Sequence, residues 1–256
     1  ESYKYEIGVA SLGTAGSFLL STRSVEYRSV VTAYDRNFEP VYRWSTPDKL
    51  VMAAAFAQGD KEFLIAAAGT NTDGSYYTEI LVCEIGKEEK RLNFSLNDEI
   101  IYRVGYASDG GFILVGRKAV YFYEKDGTQR AVQSFEGYSP TSVGIYDGYL
   151  YYTVNKNLVG SNYELSVVEA DGTLKYRSQI NGEITRVLVW GEHAYILLDR
   201  SLLQIDLSTG AVQSREVKAN AVTVLGMDSS TIALCYTSET IVINTESFFG
   251  EEAGNG

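Results

Sequence analysis

Short apolar strands open near Phe18, Phe63, Phe112, Leu150, Ala194 and Thr231, a period of about 43 residues. No other feature limits the possible folds so sharply. The clearest unit is residues 182–217. Ile184–Trp190 and Ala194–Leu198 are apolar, Leu202–Leu207 is mixed and Ala211–Val217 is mostly polar. Gly191-Glu192, Asp199-Arg200-Ser201 and Ser208-Thr209-Gly210 break the chain between them, as such clusters do between strands. The pattern predicts burial that falls steadily from the first strand to the fourth. Spacing and grading together are those of a four-stranded β-propeller blade, with its first strand on the axis and its fourth in water.

Extended along the chain, the period places blade 1 at about Tyr5–Ser45, blade 2 at Leu50–Leu96 and blade 3 at Ile100–Phe135. Blade 4 is Ser142–Ile180, and blade 6, Val222–Asn244, has only three strands. The predicted fold is an all-β propeller of four-stranded antiparallel blades, six of them recognisable. It forms a single domain over 1–247, followed by a flexible tail over 248–256. Only Glu1–Lys4 precede blade 1. That is short for a strand that would cover the outer edge of blade 6, so the ring is expected to be incomplete or weakly closed. No stretch shows helical periodicity. Ala53–Ala55 and Ala66–Ala68 read as buried strands whose small side chains let neighbouring blades approach. The turns Asp35-Arg36-Asn37, Asp126-Gly127-Thr128, Asp171-Gly172-Thr173 and Asp206–Gly210 share one chemistry, an Asp acceptor with Gly or a polar residue behind it.

The formal charge of −11 argues against a nucleic-acid ligand, which needs a basic face, and against direct contact with an anionic membrane surface. Cys83 and Cys235 fall on different blades and are expected to be separate thiols. No apolar run approaches the ~20 residues of a transmembrane helix, and no signal peptide is recognisable. The sequence begins at Glu1 rather than Met, so it is expected to be a processed piece, with any anchor elsewhere.

Little in the sequence points to catalysis. His193 is the only histidine and lies at a predicted turn; one histidine cannot build a histidine-rich metal site. Asn71-Thr72-Asp73-Gly74-Ser75 has the start of a calcium loop without its later acidic ligand. No catalytic residue, metal ligand or cofactor is therefore assigned. The candidate site is a face. Loops that join second to third strands emerge with those that join one blade to the next. They carry Tyr27, Tyr76, Tyr77 and Tyr163, with the cations Arg23, Arg117, Lys156 and Arg200 beside them. Cations repeated on one face of an acidic protein suit an anionic ligand or partner, and rigid aromatics suit an interface. The competing reading is that Asp48, Asp98, Glu99 and Glu183 of the same face pair with those cations between blades.

The unit Val31–Trp44 resembles the strand–turn units of WD40-like and quinoprotein-like propellers. Ile205–Gly210 looks like a quinoprotein docking motif, but Ser214 stands where that motif has Trp. The order of turns, with a long polar insert at Ala68–Glu79 behind the Tyr34-Asp35-Arg36-Asn37 turn, resembles a family of membrane-anchored propeller proteins of unknown function from Gram-positive bacteria. The resemblance implies a ring of seven or eight blades, of which this chain is the larger C-terminal part. It also implies an extracytoplasmic location, with a transmembrane segment outside this chain. The expected function is non-catalytic: a protein-interaction or sensing module at the cell surface, with a protein partner. The alternatives are a carbohydrate-binding propeller that takes a glycan and, disfavoured by the single His and the missing Trp, a hydrolase or quinoprotein-type enzyme.

Overall fold

In the computed structural model the described residues are 6–135, 137–146, 149–155 and 162–250. They form six antiparallel sheets in which sequence neighbours are sheet neighbours. The first sheet contains β1 (Ile7–Leu12), β2 (Phe18–Thr22), β3 (Ser29–Tyr34) and β4 (Pro40–Thr46). The second contains β5 (Leu50–Phe56), β6 (Glu62–Thr70), β7 (Tyr76–Glu84) and β8 (Lys90–Asn97). The third contains β9 (Ile101–Tyr106), β10 (Phe112–Gly116), β11 (Ala119–Tyr123) and β12 (Gln129–Ser134). The fourth contains β13 (Pro140–Tyr146), β14 (Tyr149–Asn155), β15 (Asn162–Val168) and β16 (Leu174–Asn181). The fifth contains β17 (Arg186–Trp190), β18 (His193–Leu197), β19 (Ser201–Asp206) and β20 (Val212–Glu216). The sixth has only β21 (Thr223–Asp228), β22 (Thr231–Cys235) and β23 (Thr240–Asn244), and is followed by α1 (Thr245–Gly250).

The chain divides into two compact units, Glu1–Gly137 with Ala170–Gly172, and Tyr138–Glu169 with Thr173–Gly256. In the first, Leu19, Val31 and Ala33 pack with Phe63, Ile65 and Leu81, while Leu64, Ile80 and Val82 pack with Val104, Phe112 and Leu114. In the second, Leu165 and Val167 meet Val189, Ile196 and Ile205, while Tyr195 and Leu202 meet Val224, Ile232 and Leu234. Each of these clusters joins two successive sheets. Burying one such side chain stabilises the fold by about 1.5–3 kcal/mol. Ala66 and Ala67 are fully buried in β6, where their small side chains allow close packing.

Burial does not fall steadily across a sheet, as the sequence had suggested. In the fifth sheet it peaks at β18 and is lower at β17, where Arg186 is exposed and Leu188 and Trp190 are half-buried. Only the middle strands have a strand on both edges and side chains covering both faces. Two hydroxyls add polar ties between sheets: Ser29 Oγ accepts from the Val51 amide at 3.0 Å, and Thr78 Oγ1 accepts from the Ile101 amide at 3.1 Å.

Two segments differ from expectation. The insert Ala68–Glu79 is mostly strand, because Gly69 pairs Tyr77 and Thr70 pairs Tyr76, which leaves a loop of residues 71–75. Phe248 and Phe249, read from the sequence as the start of a loose tail, lie in α1, and Phe249 is only 4% exposed. Arg215 on β20 holds this helix by donating to the carbonyls of Phe248 (3.0 Å) and Phe249 (2.8 Å).

The turn aspartates behave as their chemistry predicts. Asp206 accepts from Ser208 Oγ (2.6 Å), Ser208 N (2.8 Å) and Thr209 N (2.9 Å), and these bonds hold its carboxyl well below its ordinary value of 3.8. Asp126 and Asp228 are lowered in the same way, chiefly by the amides of Thr128 and Ser230. A carboxylate depressed by folding stabilises above its unfolded pKa, and that contribution is lost as pH falls toward the folded value. Stability is therefore expected to decline from about pH 4 downward, and Asp206→Asn to flatten that decline in urea titrations repeated across pH.

Cys83 and Cys235 are separate thiols, the first buried and the second half-buried. Burial pushes the Cys83 thiol pKa up, against the opposing effect of the Tyr42 hydroxyl 3.4 Å away. Native protein should titrate one thiol promptly with a disulfide reagent and the second only on unfolding. Prompt reaction of both would contradict the packing around β7.

Candidate functional site

In the first unit, the ends of the second and third strands meet the sheet-to-sheet connections through polar contacts. Arg28 donates to the Asp48 carbonyl at 3.3 Å. Lys49 meets Glu79 at 3.3 Å; burial works against the ammonium, but Glu79 outweighs it and the pKa stands above its ordinary value. The Asp98 amide bonds the Tyr76 carbonyl at 2.9 Å.

The connection from the second sheet to the third carries Glu99, a carboxylate that is 2% exposed. Its Oε1 accepts from the amides of Ile100 (2.9 Å) and Arg117 (2.8 Å). Its Oε2 accepts from the Lys118 amide (3.2 Å) and the Tyr121 hydroxyl (2.9 Å). The β10–β11 hairpin turns through Arg117 and Lys118, so its amides point inward at the carboxylate and its side chains point out. A Cβ on Gly116 would come within 2.5 Å of the Glu99 carboxyl carbon, so the close approach requires glycine. Burial raises the Tyr121 pKa, and the Glu99 hydrogen bond and charge raise it further.

Arg117, turned outward, carries its guanidinium 5.7 Å from the centroid of the Tyr76 ring, which is cation–π distance. Thus Arg117 and Tyr76 are brought together, and Arg23 and Tyr27 share the β2–β3 loop. Arg23 is exposed beside Glu6 (3.3 Å). Tyr27 is half-buried in a tight loop, its amide bonded to Ser24 Oγ at 3.0 Å. Tyr77 is drawn inward, its ring close against Gly69, where a Cβ would meet it at 2.7 Å. In the second unit Tyr163 packs against the core around Leu165 and Val187 and does not stand at a loop tip. Arg200 is exposed, 3.8 Å from Asp199 beside it. Lys156 lies outside the described residues.

The expected pairing of these cations with acids of the sheet-to-sheet connections takes a different form. Glu99 binds backbone amides and not the Arg117 guanidinium, and Asp48 accepts from Thr46 Oγ1 at 2.6 Å. The sequence marked Glu99 only as one acid among several. A signal for its role was present in the Gly116-Arg117-Lys118 run, a two-residue hairpin whose amides need an acceptor. His193 opens β18, its ring 6.1 Å from that of Tyr195. Asp73 accepts from the Ser75 amide (2.9 Å) and hydroxyl (2.6 Å). Among the described residues, no group of three or more His, Cys, Asp or Glu side chains is placed to hold a metal ion.

The two kinds of residue should separate by mutation. Glu99→Ala leaves three amides and a hydroxyl without their acceptor and is expected to cost about 2–4 kcal/mol. Arg117→Glu and Arg200→Glu remove exposed groups and should each stay within about 0.5 kcal/mol. Urea unfolding of the three variants decides it; a large loss from Arg117→Glu would make that residue structural.

Structure comparisons agree with this architecture. Hsv2 of Kluyveromyces lactis superposes with a TM-score of 0.66 at 11% identity, over 94% of this chain and 75% of that one. The WD40 domain of Neurospora crassa Pan2 gives 0.62 at 11% identity, over 92% and 74%. The C-terminal WD40 domain of Sif2 gives 0.52 at 8% identity, over 94% and 82%. At such identities the likeness is one of fold, a WD40-like β-propeller. No curated protein matches the sequence. The model of a family of unknown function, DUF5711, matches residues 4–245, and the chain belongs to that family.

Proposed function

We propose that this chain is a non-catalytic interaction module that binds a protein partner through the turn face of its first unit. One observation carries the reading. Arg117 is exposed and set over Tyr76, and the hairpin that presents it is fixed from beneath by the buried Glu99. A cation and an aromatic held on rigid backbone lose little entropy on binding, which favours their use as anchors. The neighbouring β2–β3 loop adds Arg23, Arg28 and a fully exposed Val25. A WD40-like fold is compatible with this role without establishing it, since fold alone does not fix function.

The cellular part of the proposal is a sensing or docking role outside the cytoplasm, with the membrane anchor in a segment beyond this sequence. Its support is the resemblance in turn order. No helix among the described residues is long and apolar enough to cross a membrane.

The test is site-specific photo-crosslinking in the native cell. A photoreactive phenylalanine in place of Tyr76 should capture a discrete protein, and the same group in place of Lys125, on the β11–β12 turn at the other end of the third sheet, should not. Capture from position 125 alone would place the interface on the wrong turns. Selective glycan binding on an array, abolished by Tyr76→Ala, would replace the protein partner with a carbohydrate.

A further inference from the structure

A cleft of about 530 Å³ opens where the β5–β6 turn and the start of β8 meet the β9–β10 and β11–β12 turns. All of these segments belong to the first unit. A cleft of this size suits a small molecule.

Part of its lining is already fixed. Arg91 donates to Glu62 through Nε (2.6 Å) and Nη2 (2.9 Å), and its Nη1 donates to the carbonyl of Lys125. One guanidinium thus ties the second sheet to a turn of the third. Tyr106 lines the same cleft, and its hydroxyl is buried with no hydrogen-bond partner. Burial holds the Tyr106 pKa well above its ordinary value, and the nearby Glu62 charge raises it further. The hydroxyl is therefore a neutral donor and acceptor. Left unpaired it costs free energy, which a bound polar group recovers.

The charges around the cleft do not cancel. Glu62 is matched by Arg91, Asp109 by Arg130 at 2.7 Å and Glu84 by Lys87 at 2.5 Å. Lys61 and Lys125 also line the cleft, and neither has an ion-pair partner among the described residues. Lys125 acts on Glu84 only as a weaker charge behind Lys87 and Arg91. Its stem lies over Gly110, where a Cβ would meet Lys125 Cδ at 3.5 Å, and its carbonyl is held by Arg91. Two uncompensated ammonium groups make this an electropositive patch on a chain of net charge −11, and a cleft of one sign concentrates ligands of the other.

We infer that the cleft binds a small organic dianion that carries a hydroxyl group, a dicarboxylate or a phosphate ester. Lys61 and Lys125 take the negative charges, and the ligand hydroxyl pairs with the Tyr106 hydroxyl. The cleft lies at the opposite end of β10 from the Arg117 turn and does not depend on a protein partner at that face.

The probes are L-malate, glycerol phosphate and, as an uncharged control, glycerol, each titrated calorimetrically into the intact chain. At least one dianion is expected to bind and to shield Lys61 and Lys125 from amine acylation, read by mass spectrometry, while glycerol does neither. Binding of malate alone identifies a dicarboxylate site, of glycerol phosphate alone a phosphate-ester site, and of both a site that reads charge and hydroxyl. Lys61→Gln and Lys125→Gln should each weaken binding about tenfold. Tyr106→Phe should also weaken it about tenfold, yet leave the urea midpoint unchanged or higher, because it deletes a buried hydroxyl that has no partner in the free protein. A lower midpoint with affinity intact would make Tyr106 merely structural and overturn the assignment. So would failure of both dianions to bind, equal binding of glycerol, or binding insensitive to the two lysine substitutions.

Discussion

A sheet whose middle strands are apolar on both faces cannot be stable by itself. β6 and β18 are almost wholly buried, and each can be so only with another sheet on either side. This requirement makes each unit a repeat: within it, a sheet is a partial core completed by the next in sequence.

Polar groups complement that layering. Ser29 and Thr78 bring hydroxyls from the third strand of one sheet to the first amides of the next, where an apolar side chain would leave a buried donor unpaired. Glu99 does the same on a larger scale: one carboxylate satisfies three amides and a hydroxyl. Because its charge is consumed by the backbone, the Arg117 guanidinium above it is left for the Tyr76 ring. The acid inside and the cation outside are thus two consequences of one hairpin.

Much of this was legible in the sequence. The period fixed the six sheets, and the predicted second-strand starts fall within one residue of β2, β6, β10, β14, β18 and β22. The aspartate turns followed from side-chain chemistry that acts within a few residues. What depended on contacts between distant residues was not legible. The peak of burial at the second strand reflects coverage by other sheets, which strand hydrophobicity alone does not report. The 68–79 segment looked like a polar insert because it is rich in Thr, Ser and Asn, yet cross-strand pairing carries β6 and β7 out to Thr70 and Tyr76. Of the eight candidate site residues, Tyr163 and Tyr77 turn inward, since a tyrosine at a strand end is equally suited to packing and to recognition. α1, six residues long, is too short to show a helical period.

That brevity has a consequence. Six residues cannot sustain a helix in water, because nucleation is unfavourable and too few hydrogen bonds follow it. α1 exists because Phe249 is buried between the fifth and sixth sheets and Arg215 grips its last carbonyls. Its helicity is therefore a readout of that junction and not an independent element. Any event that parts the two sheets, whether thermal, chemical or mechanical, melts the helix at the same step, and a spectroscopic label on Phe248 would report it.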